Sequence, residues 1–298
     1  TLIIVSATSY NGYDKSPSVE GKDPAPICNQ YMRKATRSGY QSLLQTHTND
    51  YRQLFDRVQL DLSGDSSHLP TNERIKKYKP GKDNNFAALY MQFGRYLLIA
   101  SSRPGGQPPT LQGLWNKNVN ASWSSNYTLN CNLEINYWPV ETANLSECHL
   151  PLINMVKELV DDGRKTASLV YGTSGWVVHH NTDIWRTTTP VDVSVSWSMF
   201  PGAGAWLCQH LWEHYAFTQD REYLKEIWPV MKEAALFYTQ NLQRDSVSGF
   251  WTMAPDVNFE NRYLLPDGST ASLCMGTAAT TQMIRQLFIN CIKTSGLL

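Results

Sequence analysis

Along this 298-residue chain, apolar side chains recur mainly at the three-and-four spacing of helices, and only rarely alternate as in strands. Tyr31, Ala35, Leu43, His47, Tyr51 and Phe55 predict a helix over residues 27–56. Residues 84–101, NNFAALYMQFGRYLLIAS, are apolar nearly all round, as in an inner helix. One stripe over 149–171 carries Leu152, Met155, Leu159, Gly163, Ala167 and Val170. Another over 220–242 carries Tyr223, Ile227, Met231, Ala234, Tyr238 and Leu242. Acidic residues favour the N-terminus of that second helix, whereas Pro229 predicts a kink or a later start. Further helices are predicted over 198–217 and 277–295. Strand-like runs are few: LIIVSA at 2–7, closed by an Asn11-Gly12 turn, and VQLDLSG at 58–64. SSHLPTNERIKKYKPGKDN reads as an exposed loop. No strict repeat period is visible, so a solenoid is not indicated.

The segments between the helices are poor in charge and rich in aromatic and amide side chains: SSRPGGQPPTLQGLWN, NASWSSNYTLN, GWVVHHNTDIWRTTTP and FWTMAPDVNFENRY. A helical scaffold with such loops gathered at one end would supply a binding site. Within TLNCNLEINYWP, Asn130, Asn132 and Asn136 sit among Leu129, Leu133, Ile135, Tyr137 and Trp138. Unmatched buried amides cost about 1–3 kcal/mol each, so these need partners: one another, the backbone or a ligand.

Composition narrows the ligand. With 26 basic and 26 acidic residues, no net field draws nucleic acid or an anionic membrane, and no apolar run is long enough to cross a bilayer. Ten Trp and fifteen Tyr suit a neutral ligand recognised by shape, hydrogen bonds and ring faces. The six cysteines lack CxxC spacing and read as free, mostly buried thiols.

Carboxylates in aromatic loops are those whose proton affinity burial can raise, which suits general acid chemistry on a glycosidic bond. Glu260 and Asp183 are the leading candidates, with Glu134 and Glu141 behind them, and a cap or salt bridge is the alternative for each. HHNTD, residues 179–183, invites a metal, but adjacent histidines on a strand point to opposite sides and no third ligand is spaced to join them. Sugar hydroxyls are a better partner for His180, Asn181 and Asp183, with Trp176, Trp185 or Trp197 as a stacking face. GTSGW (172–176) matches a nucleophile elbow only at chance level, and SRPGGQ lacks the Lys-Ser/Thr of a phosphate loop. No metal or other cofactor is implied.

In series, RYLLIASSRPG, LQGLWN, TLNCNLEINYWPVETANLSECHLPL, GRKTA, GWVVHHNTDIW, GAWLCQHLWEHY and PDGSTASLCMG resemble glycoside hydrolase family 95, inverting α-L-fucosidases that include α-L-galactosidases. The resemblance implies a mostly α chain in which 1–24 end an N-terminal β-domain, 25–82 form a helical linker with a short strand and loop, and 83–298 begin an (α/α)6 toroid. It implies a central fragment that stops before the family's catalytic aspartate. Asn130 and Asn132 would position the attacking water, and Glu260 would be the general acid, about 6.5–9.5 Å across the cavity. Two departures stand out. Asn258-Phe259 replaces the usual Ser-Pro before the acid, which leaves the loop backbone freer and keeps a silent sugar-binding relative open as an alternative. Thr128 stands where fucosidases often carry His, making room for the C6 hydroxyl of L-galactose. The implied partner is an oligosaccharide or a plant or host glycan, and the implied location is secreted or periplasmic.

Overall fold

The computed structural model describes residues 2–62, 64 and 68–298, and the protein is mostly helical. It divides into two compact units, Thr1–Ser101 with Thr142–Cys148, and Ser102–Glu141 with His149–Leu298.

In the first unit, α1 (Ala25–Phe55) begins on Pro24 and departs from helical dihedrals at Gly39, where φ is 71° and ψ 160°. A short helix, α2 (Thr71–Lys77), interrupts the segment expected to be loop. A buried two-pronged ion pair explains it: Arg74 Nε and Nη2 donate to Asp83 at 3.0 and 2.9 Å, which closes the segment on itself. α3 (Asn84–Ser101) has the bounds its pattern predicts. Its buried Arg95 donates to the carbonyls of Leu54 and Phe55 at 2.9 and 2.8 Å, so the one cation of this apolar helix satisfies the open C-terminal end of α1. α3 is not apolar-buried all round, however, since Tyr90 and Phe93 are more than half exposed.

Neither expected strand forms a ladder. Residues 2–7 have no strand partner among the described residues, with Leu2 and Ile4 exposed. In VQLDLSG, Ser63 lies outside the described residues, and the rest is held by Asn85: its Oδ1 accepts from Leu62 N at 2.6 Å and its N donates to Gly64 O at 3.3 Å. An apolar alternation supplies a face, but a strand exists only where another backbone pairs with it. The described residues of SSHLPTNERIKKYKPGKDN begin at His68, since Ser66 and Ser67 lie outside them.

The second unit contains α4 (Asn132–Tyr137), α5 (Leu150–Thr166), α6 (Ala203–Thr218), α7 (Arg221–Asn241) and α8 (Ala278–Leu297), with α6, α7 and α8 packed on one another. On α5 the stripe buries Leu152, Met155, Leu159 and Gly163, and Ala167 follows it. The helix then widens into a π turn at Ala167–Tyr171, which rotates Val170 off the stripe and into solvent. α7 runs unbroken through Pro229, whose ring is exposed, and starts on schedule because Asp220 caps it by accepting from Glu222 and Tyr223 N–H groups. Trp176, fully buried, donates to Val230 O at 2.8 Å, and Gly163 lets it approach α5 closely. It is a core residue and no stacking platform. All six cysteines are free, but only Cys148 and Cys208 are fully buried.

Among the described residues, four two-stranded antiparallel ribbons join the helices: β1 (Tyr127–Thr128) with β2 (Asn181–Thr182), β3 (Leu242–Arg244) with β4 (Trp251–Met253), β5 (Asp256–Val257) with β8 (Leu273–Cys274), and β6 (Tyr263–Leu264) with β7 (Thr270–Ala271). These ribbons, short as they are, position the site.

Candidate active site

The β1–β2 ribbon brings two distant loops together. Tyr127 pairs with Thr182 and Thr128 with Asn181, and Leu129 N donates to His180 O at 2.7 Å. A third loop arrives from β5: Glu260 N donates to Ser196 O at 2.8 Å, and Glu260 takes a left-handed backbone with φ 58°. Such a backbone is costly for a residue with a side chain and is held here by its surroundings. Phe259 meets Phe200 edge-to-face with ring centroids 4.9 Å apart. The ring contact of half-buried Phe259 therefore anchors the loop where the freer backbone expected without proline would otherwise move.

The root of this loop is braced by Asp256, which sequence reasoning passed over. Fully buried, it accepts from Thr277 N at 2.8 Å and Thr280 Oγ1 at 2.9 Å, tying β5 to the start of α8. Burial raises its affinity for a proton and these donors oppose that.

Together the loops enclose a cleft of about 1160 Å3. Of the residues singled out from sequence, Thr128, Asn130, Asn132, His180, Asn181, Asp183, Trp197 and Glu260 all line it. Asn130 is 2% exposed, and its Nδ2 donates to Glu260 Oε1 at 2.9 Å. His180 Nε2 stands 3.5 Å from the same oxygen, a charge contact longer than a good hydrogen bond. The Glu260 carboxyl itself is 60% exposed. Burial lowers the proton affinity of His180, and the neighbouring Glu260 carboxylate partly restores it. The buried Oδ1 of Asn130 and Oγ1 of Thr182 have no protein partner. Asn132 is exposed, with Cys131 Sγ donating weakly to its Oδ1 at 3.6 Å.

Several expectations need correction. Glu260 and Asn130 touch, where the sequence reading set them about 6.5–9.5 Å apart. An amide donor on the cleft floor takes the nearest carboxylate oxygen. Trp185 is absent from the lining because its segment turns away on Asp183, whose carboxylate accepts from Trp185 N at 2.8 Å and Thr187 Oγ1 at 3.1 Å. Those contacts make Asp183 a loop brace at the cleft wall. Glu141 lies outside the cleft, accepting from buried histidines. As expected for adjacent histidines, His179 faces away from its neighbour, its Nδ1 accepting from Phe200 N at 3.2 Å, and burial pushes its pKa down to about 3. Phe259, noted in the sequence for replacing the usual proline, lines the cleft too, as does Trp123, which escaped notice as an individual. The only sequence signal for Trp123 was an indole inside an amide-rich loop.

Beneath the site, Glu134 of α4 is fully buried, and neither carboxyl oxygen has a partner. Burial pushes its pKa well above the usual carboxylate range. A raised folded value means stability that is complete below the unfolded pKa of 4.5 and declines as pH rises above it. Glu134→Gln is therefore expected to be more favourable to stability at pH 7 than at pH 4. Urea titrations at pH 4 and pH 7 check this; a gain of equal size at both pH values would show that ionisation is not the cause.

Comparison with known proteins gives consistent matches. The Glycosyl hydrolase family 95 catalytic domain matches residues 39–298. "Alpha-L-fucosidase 2" of Arabidopsis thaliana is 36% identical over 304 residues, covering 100% of this chain and 36% of the relative. "Probable alpha-fucosidase A" of Aspergillus niger is 35% identical over 253 residues, covering 82% of this chain and 32% of the relative. The chain thus spans about a third of the length of the curated relatives it matches.

Proposed function

Because the chain belongs to glycosyl hydrolase family 95, we propose that its protein removes terminal α-L-fucosyl residues from oligosaccharides with inversion of configuration. The observation that carries this reading is the meeting of Glu260, Asn130 and His180 in one large cleft built from amide and aromatic loops. Glu260 is the general acid, and its exposed carboxyl has room to swing to a glycosidic oxygen. Once Glu260 swings to the glycosidic oxygen its contact with Asn130 opens, and Asn130 and Asn132 then hold the water that attacks the anomeric carbon from the opposite face. An amide carbonyl is too weak a base to take the water's proton, so a carboxylate from elsewhere in the full-length protein completes the site.

Helices α5–α8 are read as the beginning of an (α/α)6 toroid whose loops form the cleft.

A second specificity is favoured by one residue. Thr128 lines the cleft and its hydroxyl donates to Asn126 Oδ1 at 3.0 Å, leaving space that a histidine would fill, so L-galactose with its C6 hydroxyl is the alternative sugar. The full-length protein should be assayed on α-L-fucosyl and α-L-galactosyl oligosaccharides, with the first-formed anomer followed by NMR. Inversion with release of either sugar is expected, and Thr128→His should shift the ratio of kcat/KM toward fucose by about tenfold. A retained anomer would sink the mechanism, and binding of either sugar without turnover would favour a silent lectin-like relative.

A further inference from the structure

A second group of buried polar side chains lies apart from the cleft lining. Glu141, His149, His210 and His214 are each less than a tenth exposed. His210 and His214 sit four residues apart on α6 and therefore share a face. His149 immediately precedes α5, and Glu141 lies in the turn after α4. His149 Nδ1 and His214 Nδ1 stand 2.8 and 2.6 Å from the same Oε1 of Glu141. The far nitrogen of His149, Nε2, is 3.1 Å from His210 Nδ1. His210 Nε2 is buried with no partner, beside a cavity of about 240 Å3 that Glu141, His149, His210 and Glu213 help to line.

Three imidazoles gathered round a buried carboxylate are expensive unless something repays their lost hydration. Two imidazole nitrogens and a carboxylate oxygen lie within 4.8 Å of one another, the donor set that zinc-type ions prefer. We propose that Glu141, His149 and His214 bind a divalent transition-metal ion, with Zn2+ the expected occupant. His149 and His214 ligate through Nδ1, each moving its proton to Nε2, so both rings stay neutral and no proton is released. His149 Nε2–H then donates to His210 Nδ1, the outer contact a ligating histidine usually makes. The proton of His210 passes to its own Nε2, the atom that has no protein partner. An ion between the donors needs them about 3.3–3.5 Å apart, so the side chains open by roughly 0.6 Å. The cavity beside them gives that room and a place for water as fourth ligand. The ion is structural: it ties the turn after α4 and the start of α5 to α6.

The test is metal titration of the full chain, stripped with a chelator, by calorimetry with ZnCl2 and by absorption with CoCl2. One equivalent of Zn2+ is expected to bind, raise the melting temperature, and give with Co2+ the intense visible bands of low-coordinate ligation. His149→Ala and His214→Ala should each weaken Zn2+ binding at least 100-fold. Absence of stoichiometric binding, or binding undiminished in both variants, would overturn the proposal and leave a hydrogen-bonded relay. If neither variant folds, the Co2+ spectrum of the unaltered chain decides, since only the weak bands of the hydrated ion would reject the site.

Discussion

Glu260→Gln is expected to slow hydrolysis of substrates with poor leaving groups by about 10^2–10^4-fold, the range that general acid catalysis supplies. The amide keeps the shape of the carboxyl and the contact with Asn130 but has no proton to give. Aryl glycosides whose leaving group departs without protonation should lose far less, and this contrast separates lost acid catalysis from a disturbed cleft. Because Glu260 N is tied to Ser196 O and Phe259 to Phe200, the variant should keep its loop and its sugar affinity. Steady-state kinetics of the full-length protein on an oligosaccharide and an activated aryl glycoside make the comparison. Equal losses on both substrates, or a nearly unchanged rate on the oligosaccharide, would remove Glu260 from the acid role.

Gly175→Ala should cost about 3–4 kcal/mol of stability, a large effect for a single methyl group. Gly175 has φ of 86°, a left-handed backbone, and an added Cβ would lie 2.3 Å from Glu233 O and 2.5 Å from Phe237 N of α7. Both obstacles are backbone, so relief requires moving the helix and not a rotamer. Gly81→Ala supplies the control, with φ of 77° and open space around its Cβ, and should lose only about 1–2 kcal/mol from strain. Urea denaturation of the three proteins measures the difference. A Gly175 variant no worse than the Gly81 variant would show that the helix gives way. The GTSGW segment is thus a packed turn: its buried second glycine lets α7 pass, and Ser174 is exposed with its backbone N–H bound to Gln240.

What could be read in advance was governed by local rules. A buried stripe repeats at the period of the helix that carries it, so α3, α5, α6, α7 and α8 were legible to within a few residues. The π turn that turned Val170 outward was not, since it depends on how the chain exits α5 toward Trp176. Pro229 does not delay the start of α7, because Asp220 caps the helix there. Residues 2–7 form no ladder among the described residues, because alternation describes a face and pairing requires a second backbone.

The candidate site divides the same way. Glu260, Asn130, Asn132, Thr128, His180, Asn181 and Trp197 were legible because polar groups in apolar, aromatic company stand out along a sequence and because several long blocks resemble one family. Which carboxylates remain available for chemistry was decided only in three dimensions. Asp183, at the cleft wall, accepts from its own loop, Glu141 accepts from two histidines outside the cleft, and Glu134 is buried without a partner, while the Glu260 carboxyl meets Asn130 within the cleft. The sequence by itself determined the helical elements, the family and the chemical character of the loops. The tertiary structure decided which side chains meet, because a hydrogen bond depends on distances of tenths of an ångström between residues as far apart in sequence as Asn130 and Glu260.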